Sequence, residues 1–169
     1  SLLAISTSAK PRIENYHFTT IDPNLGVVEL HDTSFVMADI AGIIEGAHKG
    51  LGLGLKFLKH IERCKLIIHI VDISGIDGRE PEEDFLKINK ELRNYSEKLS
   101  NKIQIVVANK IDMLYDEEKY DKFEKFIKEQ GIEYVYPISV IANEGIKPVY
   151  SFSQVSLDKM SKVHPKLIE

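Results

Sequence analysis

Apolar and charged stretches alternate along this chain in a way that predicts strands separated by amphipathic helices. Nearly continuous apolar runs at residues 65–72, 105–108 and 134–138 are typical of buried strands. The first of these runs is apolar enough to be a strand covered on both faces. Charged segments at residues 82–99 and 117–130 keep their apolar side chains at helical spacing. This order predicts an α/β fold with a parallel sheet and helices on both of its faces.

The first third of the chain departs from this alternation. Residues 26–30 and 34–39 predict two strands joined by a turn, which indicates an antiparallel edge on a mostly parallel sheet. Residues 10–23 carry two prolines and predict an exposed loop, and residues 42–54 contain five of the chain's ten glycines, which favours a flexible segment. A final helix is expected from about Gly145.

Length, charge and cysteine content narrow the class of protein. At 169 residues the chain is predicted to form one domain over residues 1–169. A net charge of −4 provides no overall attraction to nucleic acid or to a membrane surface, and no apolar run approaches the roughly 18 residues of a membrane span. The single cysteine, Cys64, suits a reducing, cytoplasmic location. A buried, inert thiol is favoured over one activated by its basic neighbours.

Polar residues follow the strand predicted at residues 105–108, in the order Asn109-Lys110-Ile111-Asp112. Ligands of open α/β sheets bind outside the carboxyl ends of the strands. There a carboxylate such as that of Asp112 can accept hydrogen bonds from the N1–H and the 2-amino group of guanine, and would reject a base that lacks them. Asn and Asp are also common in turns, so these residues alone leave a plain turn open.

Two further predicted strands end in polar residues. Asp39 is followed three residues later by Gly42, a pattern that suits Mg²⁺ held through a water and a backbone N–H close to a phosphate. Thr19 and Thr20 precede this pair and could add a hydroxyl ligand. Ser139 follows the last strand. The six histidines show no metal-ligand spacing, and His69 inside a strand is expected to be a core residue.

Three segments carry a resemblance to a known family: AKPRIENYHFTTIDPNLG, FVMADIAGIIEGAHKGLGLGLKFLKHIERC and VANKID. They resemble the Obg family of P-loop GTPases, and the resemblance covers about residues 1–145. It implies a three-layer, Ras-like G domain that binds GTP and GDP with Mg²⁺ as cofactor. It also implies hydrolysis of GTP to GDP and phosphate, and association with the large ribosomal subunit in ribosome assembly or stress control.

The resemblance assigns roles at the base end of the site. Asn109, Lys110 and Asp112 match the base-specificity motif, in which Asp112 reads guanine and Lys110 packs along the base. Ser139 and Val140 match the loop whose backbone supports guanine O6. Position 140 is commonly Ala in the family, and Val is expected to crowd this loop slightly.

The resemblance also assigns roles at the phosphate end. Asp39 and Gly42 match the switch II motif, and Thr20 matches the switch I threonine that ligates Mg²⁺, with Thr19 as the alternative. Thr20 and Asp39 are therefore the expected metal-binding residues. Ile43 stands where many small GTPases carry a glutamine that positions water, and it joins Gly42 as a switch II candidate. Because an aliphatic side chain cannot orient water, intrinsic hydrolysis is expected to be slow.

The 169 residues contain no G-x-x-x-x-G-K-[ST], the motif that cradles phosphates in this class. The resemblance places that motif, with the first strand of the sheet, before Ser1. We therefore expect an N-terminally truncated domain that lacks its first strand, binds nucleotide weakly or not at all by itself and is inactive. A sheet without its middle strand exposes two edges, which another element is expected to cover.

Three rivals to an Obg-family GTPase follow from the same observations. The first is a module that binds guanine nucleotides without effective catalysis. The second is a degenerate scaffold that binds no nucleotide, as the absence of the phosphate motif would allow. The third is a generic α/β interaction domain, which accounts for the predicted fold and leaves three correctly ordered motifs unexplained.

Overall fold

The computed structural model describes residues 24–30, 33–39, 62–76 and 78–163, together with Leu2 and Ile5. Within these residues the strands and α-helices, in chain order, are β1 (Asn24–Leu30), β2 (Thr33–Asp39), β3 (Leu66–Asp72), α1 (Pro81–Tyr95), α2 (Glu97–Ser100), β4 (Ile103–Asn109), α3 (Glu118–Glu129), β5 (Val135–Ile138) and α4 (Ile146–Val163). The predicted strands and helices of the second half are thus confirmed, with shifts of a few residues at their ends.

The strands form a parallel sheet and a separate hairpin. The parallel sheet has the order β3-β4-β5, and β1 pairs with β2 in antiparallel register. The predicted α/β class with a parallel sheet is confirmed. The antiparallel strands were expected at an edge of that sheet and instead pair with each other in a sheet of their own. Among the strands that the structure describes, none joins the two sheets by hydrogen bonds.

Two apolar clusters lie on opposite faces of the parallel sheet. On one face Phe85 of α1 and Phe123 of α3 pack against the sheet through Val106. On the other face Val149 of α4 packs against Val107, and the same cluster includes Val28 of the hairpin. The result is a three-layer arrangement in which α4 holds the hairpin and the parallel sheet together.

The predicted helix 82–99 is interrupted. Ser96 adopts an extended backbone, so that α1 ends at Tyr95 and the short α2 begins at Glu97. This break allows Leu99 to be buried. Leu86 is exposed, because the helical repeat that buries Phe85 turns the next position away from the sheet.

The apolar strand β3 is covered less completely than its composition predicts. His69 and Val71 are buried on the face of α1, whereas Ile70 is 44% exposed. The apolar cluster on the face of α4 includes Ile68 and does not extend to Ile70. Apolar composition alone therefore overestimated burial at this end of the strand.

Candidate functional site

Strand β4 delivers the polar cluster predicted to read a base. Its residues Ile105–Ala108 are fully buried, and the half-buried Asn109 ends the strand. Asn109 is level with Asp72 of β3 and with Ile138 of β5 in the parallel register. The three strand ends therefore meet at one edge of the sheet, as the strand order predicts.

A hydrogen bond joins two loops that the sequence assigned to one site. The backbone N–H of Val140 donates to Oδ1 of Asn109 at 3.2 Å. These two residues are 31 positions apart in the chain and are brought together because β4 and β5 are neighbours. The side chain of Asn109 thus fixes where the loop after β5 lies relative to the loop after β4.

The loop after β5 is internally closed. Ser139 and Glu144 exchange two backbone hydrogen bonds of 3.1 and 3.0 Å, and the buried Ser139 hydroxyl accepts the N–H of Ala142 at 3.0 Å. Gly145 leads back to α4 with φ +72°, and a Cβ there would lie 2.2 Å from the carbonyl oxygen of Pro137. Glycine is required because both the backbone angle and the close approach exclude a side chain.

Lys110 is held on the other side of Asn109. Its backbone lies in the left-handed region with φ 69°, and its ammonium group forms an ion pair with Asp72. Asp72 also accepts the N–H and the hydroxyl of Ser74 at 2.9 and 2.6 Å. Burial favours the neutral acid, yet the hydrogen bonds from Lys110 and Ser74 hold the pKa of Asp72 below its usual value.

Asp112 differs from its neighbours in the same motif. It lies in a short 3-10 turn, Ile111–Met113, and its side chain is exposed. Within the described part of the chain its carboxylate makes no hydrogen bond or ion pair. Both carboxylate oxygens are therefore available to accept hydrogen bonds from a ligand.

The phosphate end of the predicted site is described only at Asp39. This residue ends β2, opposite Asn24 in the hairpin, and so belongs to the separate sheet. Thr20, Gly42 and Ile43 lie outside the described residues. Among the residues that are described, no three His, Cys, Asp or Glu side chains converge in a way that could hold a metal ion.

Asp72 and Ser74 were missed by the reading of the sequence. The signal for Asp72 was present, because it directly follows the apolar run of β3 just as Asn109 follows that of β4. Asp39, Asn109 and Ser139 follow their predicted strands in the same way, so the pattern that predicts these residues also predicts Asp72.

The surroundings of His69 and Cys64 bear on whether either side chain could bind a metal or react. His69 is buried, stacks on Phe85 with ring centroids 5.2 Å apart, and has its Nδ1 3.0 Å from Nε2 of Gln104. Burial lowers the pKa of His69 to about 4, so it is neutral at pH 7. Burial raises the pKa of the half-buried Cys64 thiol, opposed by Lys102. The prediction of a core histidine is confirmed. Cys64 is half-buried rather than buried, and its inertness stays a prediction.

Comparison with known proteins identifies the family. A family model described as 50S ribosome-binding GTPase matches residues 1–110. GTPase Obg of Clostridium beijerinckii is 59% identical over 150 residues, which make up 88% of this chain and 35% of that protein. The chain belongs to the Obg family of GTPases. GTPase Obg of Caldanaerobacter subterraneus is 53% identical over 173 residues, covering 99% of this chain and 40% of that protein.

This Obg-family chain therefore spans about a third of the length of its C. beijerinckii relative, given the 35% coverage. The cytosolic domain of L. pneumophila FeoB has the same fold. It superimposes with a TM-score of 0.61 at 19% identity, over 92% of this chain and 60% of that domain. None of the helices described in the Obg-family chain is long and apolar enough to cross a membrane.

Proposed function

We propose that residues 1–169 form the guanine-nucleotide-binding domain of an Obg-family GTPase that hydrolyses GTP to GDP and phosphate. The hydrogen bond between Asn109 Oδ1 and the N–H of Val140 carries this proposal. It ties a loop that can read the edge of a base to a loop whose backbone can support it. A plain turn after β4 would have no need of such a bond to a second loop.

The proposed roles at the base end follow from what each side chain contacts. Asp112 is exposed and without a partner among the described residues, so it accepts hydrogen bonds from the N1–H and the 2-amino group of guanine. Asn109 holds the two loops together. Lys110 packs along the base, and the backbone of Ser139 and Val140 lies at O6.

We further propose Mg²⁺ as cofactor, with Asp39 and Thr20 as its protein ligands. Mg²⁺ usually takes one or two carboxylates together with phosphate oxygens and water, rather than a cage of protein side chains. A single carboxylate at the end of β2 fits that preference. The ion would supply neutralisation of charge on the phosphates. Gly42 would lie close to the terminal phosphate, as in the family motif.

We propose that the intact protein acts slowly by itself and responds to a partner. Ile43 cannot orient a water by hydrogen bonding, so intrinsic hydrolysis requires another group to do so. The large ribosomal subunit is the proposed partner, in a cytoplasmic role in ribosome assembly or stress control. The support is the description of the matching family model as a 50S ribosome-binding GTPase.

Nucleotide binding is tested by calorimetry with GDP and Mg²⁺ on the complete protein. GDP should bind, and ADP should not, because adenine lacks the N1–H and 2-amino donors that Asp112 accepts. Equal binding of both would exclude a guanine reader. Hydrolysis is tested by phosphate release from GTP by the complete protein, which large ribosomal subunits should accelerate.

The alternative function is a non-catalytic or degenerate guanine-nucleotide-binding scaffold. On this alternative the complete protein would release no phosphate from GTP, with or without ribosomal subunits. GDP binding would then distinguish a nucleotide sensor from a scaffold without a ligand.

A further inference from the structure

Asp72 lies at the edge of the parallel sheet that carries the candidate site, and the proposed function assigns it no role. It ends β3 and is level with Asn109 of β4, which places it beside the residue that precedes Lys110. Its carboxylate forms an ion pair with the ammonium group of Lys110, and both side chains are 35% exposed. A carboxylate in this position can control where the lysine points.

The orientation of Asp72 is itself determined by its surroundings. Its Oδ1 accepts both the backbone N–H of Ser74 at 2.9 Å and the Ser74 hydroxyl at 2.6 Å, while Oδ2 faces Lys110. One oxygen therefore anchors the carboxylate and the other holds the lysine. This division differs from that of a surface pair, in which both side chains can swing freely.

The loop that carries Ser74 is anchored in turn. The ammonium group of Lys119, at the start of α3, donates to the carbonyl oxygen of Ser74 at 3.1 Å. Gly75 follows with φ +66°, and a Cβ there would lie 2.6 Å from the Lys119 ammonium nitrogen. The chain of contacts from α3 through Ser74 and Asp72 to Lys110 is thus continuous.

Lys110 needs such support because of its side chain and its backbone. Lysine has four rotatable side-chain bonds and loses much rotamer freedom when it is held in one place. Its left-handed backbone also fixes the direction in which the side chain leaves the loop. A lysine already held before the ligand arrives loses less freedom on binding.

We propose that Asp72 is a positioning residue of the guanine-nucleotide site, acting through Lys110. The carboxylate holds the lysine stem where it packs along the base, and Ser74 keeps the carboxylate directed at it. The inference rests on the proposed function, since it concerns the same site and assigns no contact between Asp72 and the nucleotide.

The test is a double-mutant cycle on GDP affinity in the complete protein, with D72N, K110M and the double variant. D72N should weaken GDP binding about tenfold, within the range of coupling between contacting charges. In the K110M background, D72N should have almost no further effect, because the residue through which it acts is gone. For GTP hydrolysis, D72N should raise KM while kcat stays within about twofold, since the lost contact concerns binding and not the chemical step.

A matched control and a second variant keep the cycle informative. E118Q removes a carboxylate from an exposed pair with Lys122, 3.8 Å apart, and should leave GDP affinity unchanged. S74A should weaken GDP binding by a smaller factor, since the Ser74 N–H remains, and this loss should also vanish in the K110M background. If D72N does not fold, S74A completes the same cycle.

Three results would overturn the inference. They are unchanged GDP affinity in D72N, tighter binding in D72N, and losses in D72N and K110M that simply multiply in the double variant. Tighter binding would mean that the ion pair competes with the nucleotide for Lys110. If the unsubstituted protein binds no guanine nucleotide, GDP included, the proposed function fails instead.

Discussion

The loop after β5 and the turn after β4 lie at the same edge of the sheet and are built in opposite ways. The loop is closed by the Ser139–Glu144 backbone pair and tied to β4 by Asn109. The turn leaves Asp112 exposed, with no partner among the described residues. The difference separates residues that hold the loops in place from the residue proposed to bind the base, and each kind should respond differently to substitution.

The largest effect is expected where the loop after β5 returns to α4. Gly145→Ala should lower the free energy of unfolding by about 4 kcal/mol, because the Cβ would meet the Pro137 carbonyl and the backbone would be strained. Chemical denaturation measures the change. Gly78→Ala is the matched control, since Gly78 has φ +70° with nothing within 4 Å and should lose about 1 kcal/mol. Equal losses in the two variants would show that the loop is not tightly closed.

The buried His69 in β3 should make the stability of the protein depend on pH. His69 has its pKa lowered to about 4 by burial, whereas in the unfolded chain a histidine titrates near about 6.5. Below that value the unfolded state binds the proton first, so stability should fall by about 3 kcal/mol between pH 6.5 and pH 4. His69→Gln should remove this part of the slope in denaturation curves across that pH range. If the free energy of unfolding depended on pH as before in His69→Gln, a group other than His69 would be responsible.

The turn should show a change in binding without a change in stability. Asp112→Ala should weaken GDP binding about a hundredfold, because two donors of the base would be buried without acceptors. Its melting temperature should stay unchanged, since the Asp112 carboxylate has no partner among the described residues. Calorimetry and thermal denaturation measure the two quantities. A large loss of stability would show that Asp112 helps to hold the loops in place, as Asn109 does, and the difference between the two regions would disappear.

A smaller effect, on stability and binding together, is expected at the bond between the two loops. Asn109→Ala should lower the free energy of unfolding by about 2 kcal/mol, because the N–H of Val140 loses its acceptor in a half-buried place. Asn101→Ala removes an exposed amide at the end of α2 and serves as control. If Asn109→Ala weakened GDP binding at full stability, Asn109 would act on the ligand rather than on the loops.

Much of the fold was predictable because local patterns agreed with it. The four fully buried residues of β4 and the end of α3 are examples. At that end Gly131, with φ +86°, allows its own N–H to bond Lys128 and the N–H of Ile132 to bond Ile127. This pattern is typical of a helix end capped by glycine, which a glycine directly after a helical segment favours. The break at Ser96 was not predicted, since no proline or glycine marks it. It accompanies the burial of Leu99 in the short helix that follows.

The candidate site was predictable in its residue types and only partly in its contacts. Asn109 and Val140 could be assigned to one site by their family motifs, while the bond between them depends on β4 and β5 being neighbours. The pairing of Lys110 with Asp72 connects positions 38 residues apart along the printed sequence. Nothing in the local pattern around either residue specifies the other.

Sequence by itself determined which residues can carry the chemistry, because hydrogen-bonding capacity belongs to the side chain and strand ends follow from apolar runs. Asn109, Lys110, Asp112 and Ser139 were identified in this way. Tertiary structure decided which of them are engaged, since that depends on strand order and register. It turned Asn109 into a link between loops and gave Lys110 a carboxylate partner. It left Asp112 exposed, with its carboxylate ready to accept hydrogen bonds from a base.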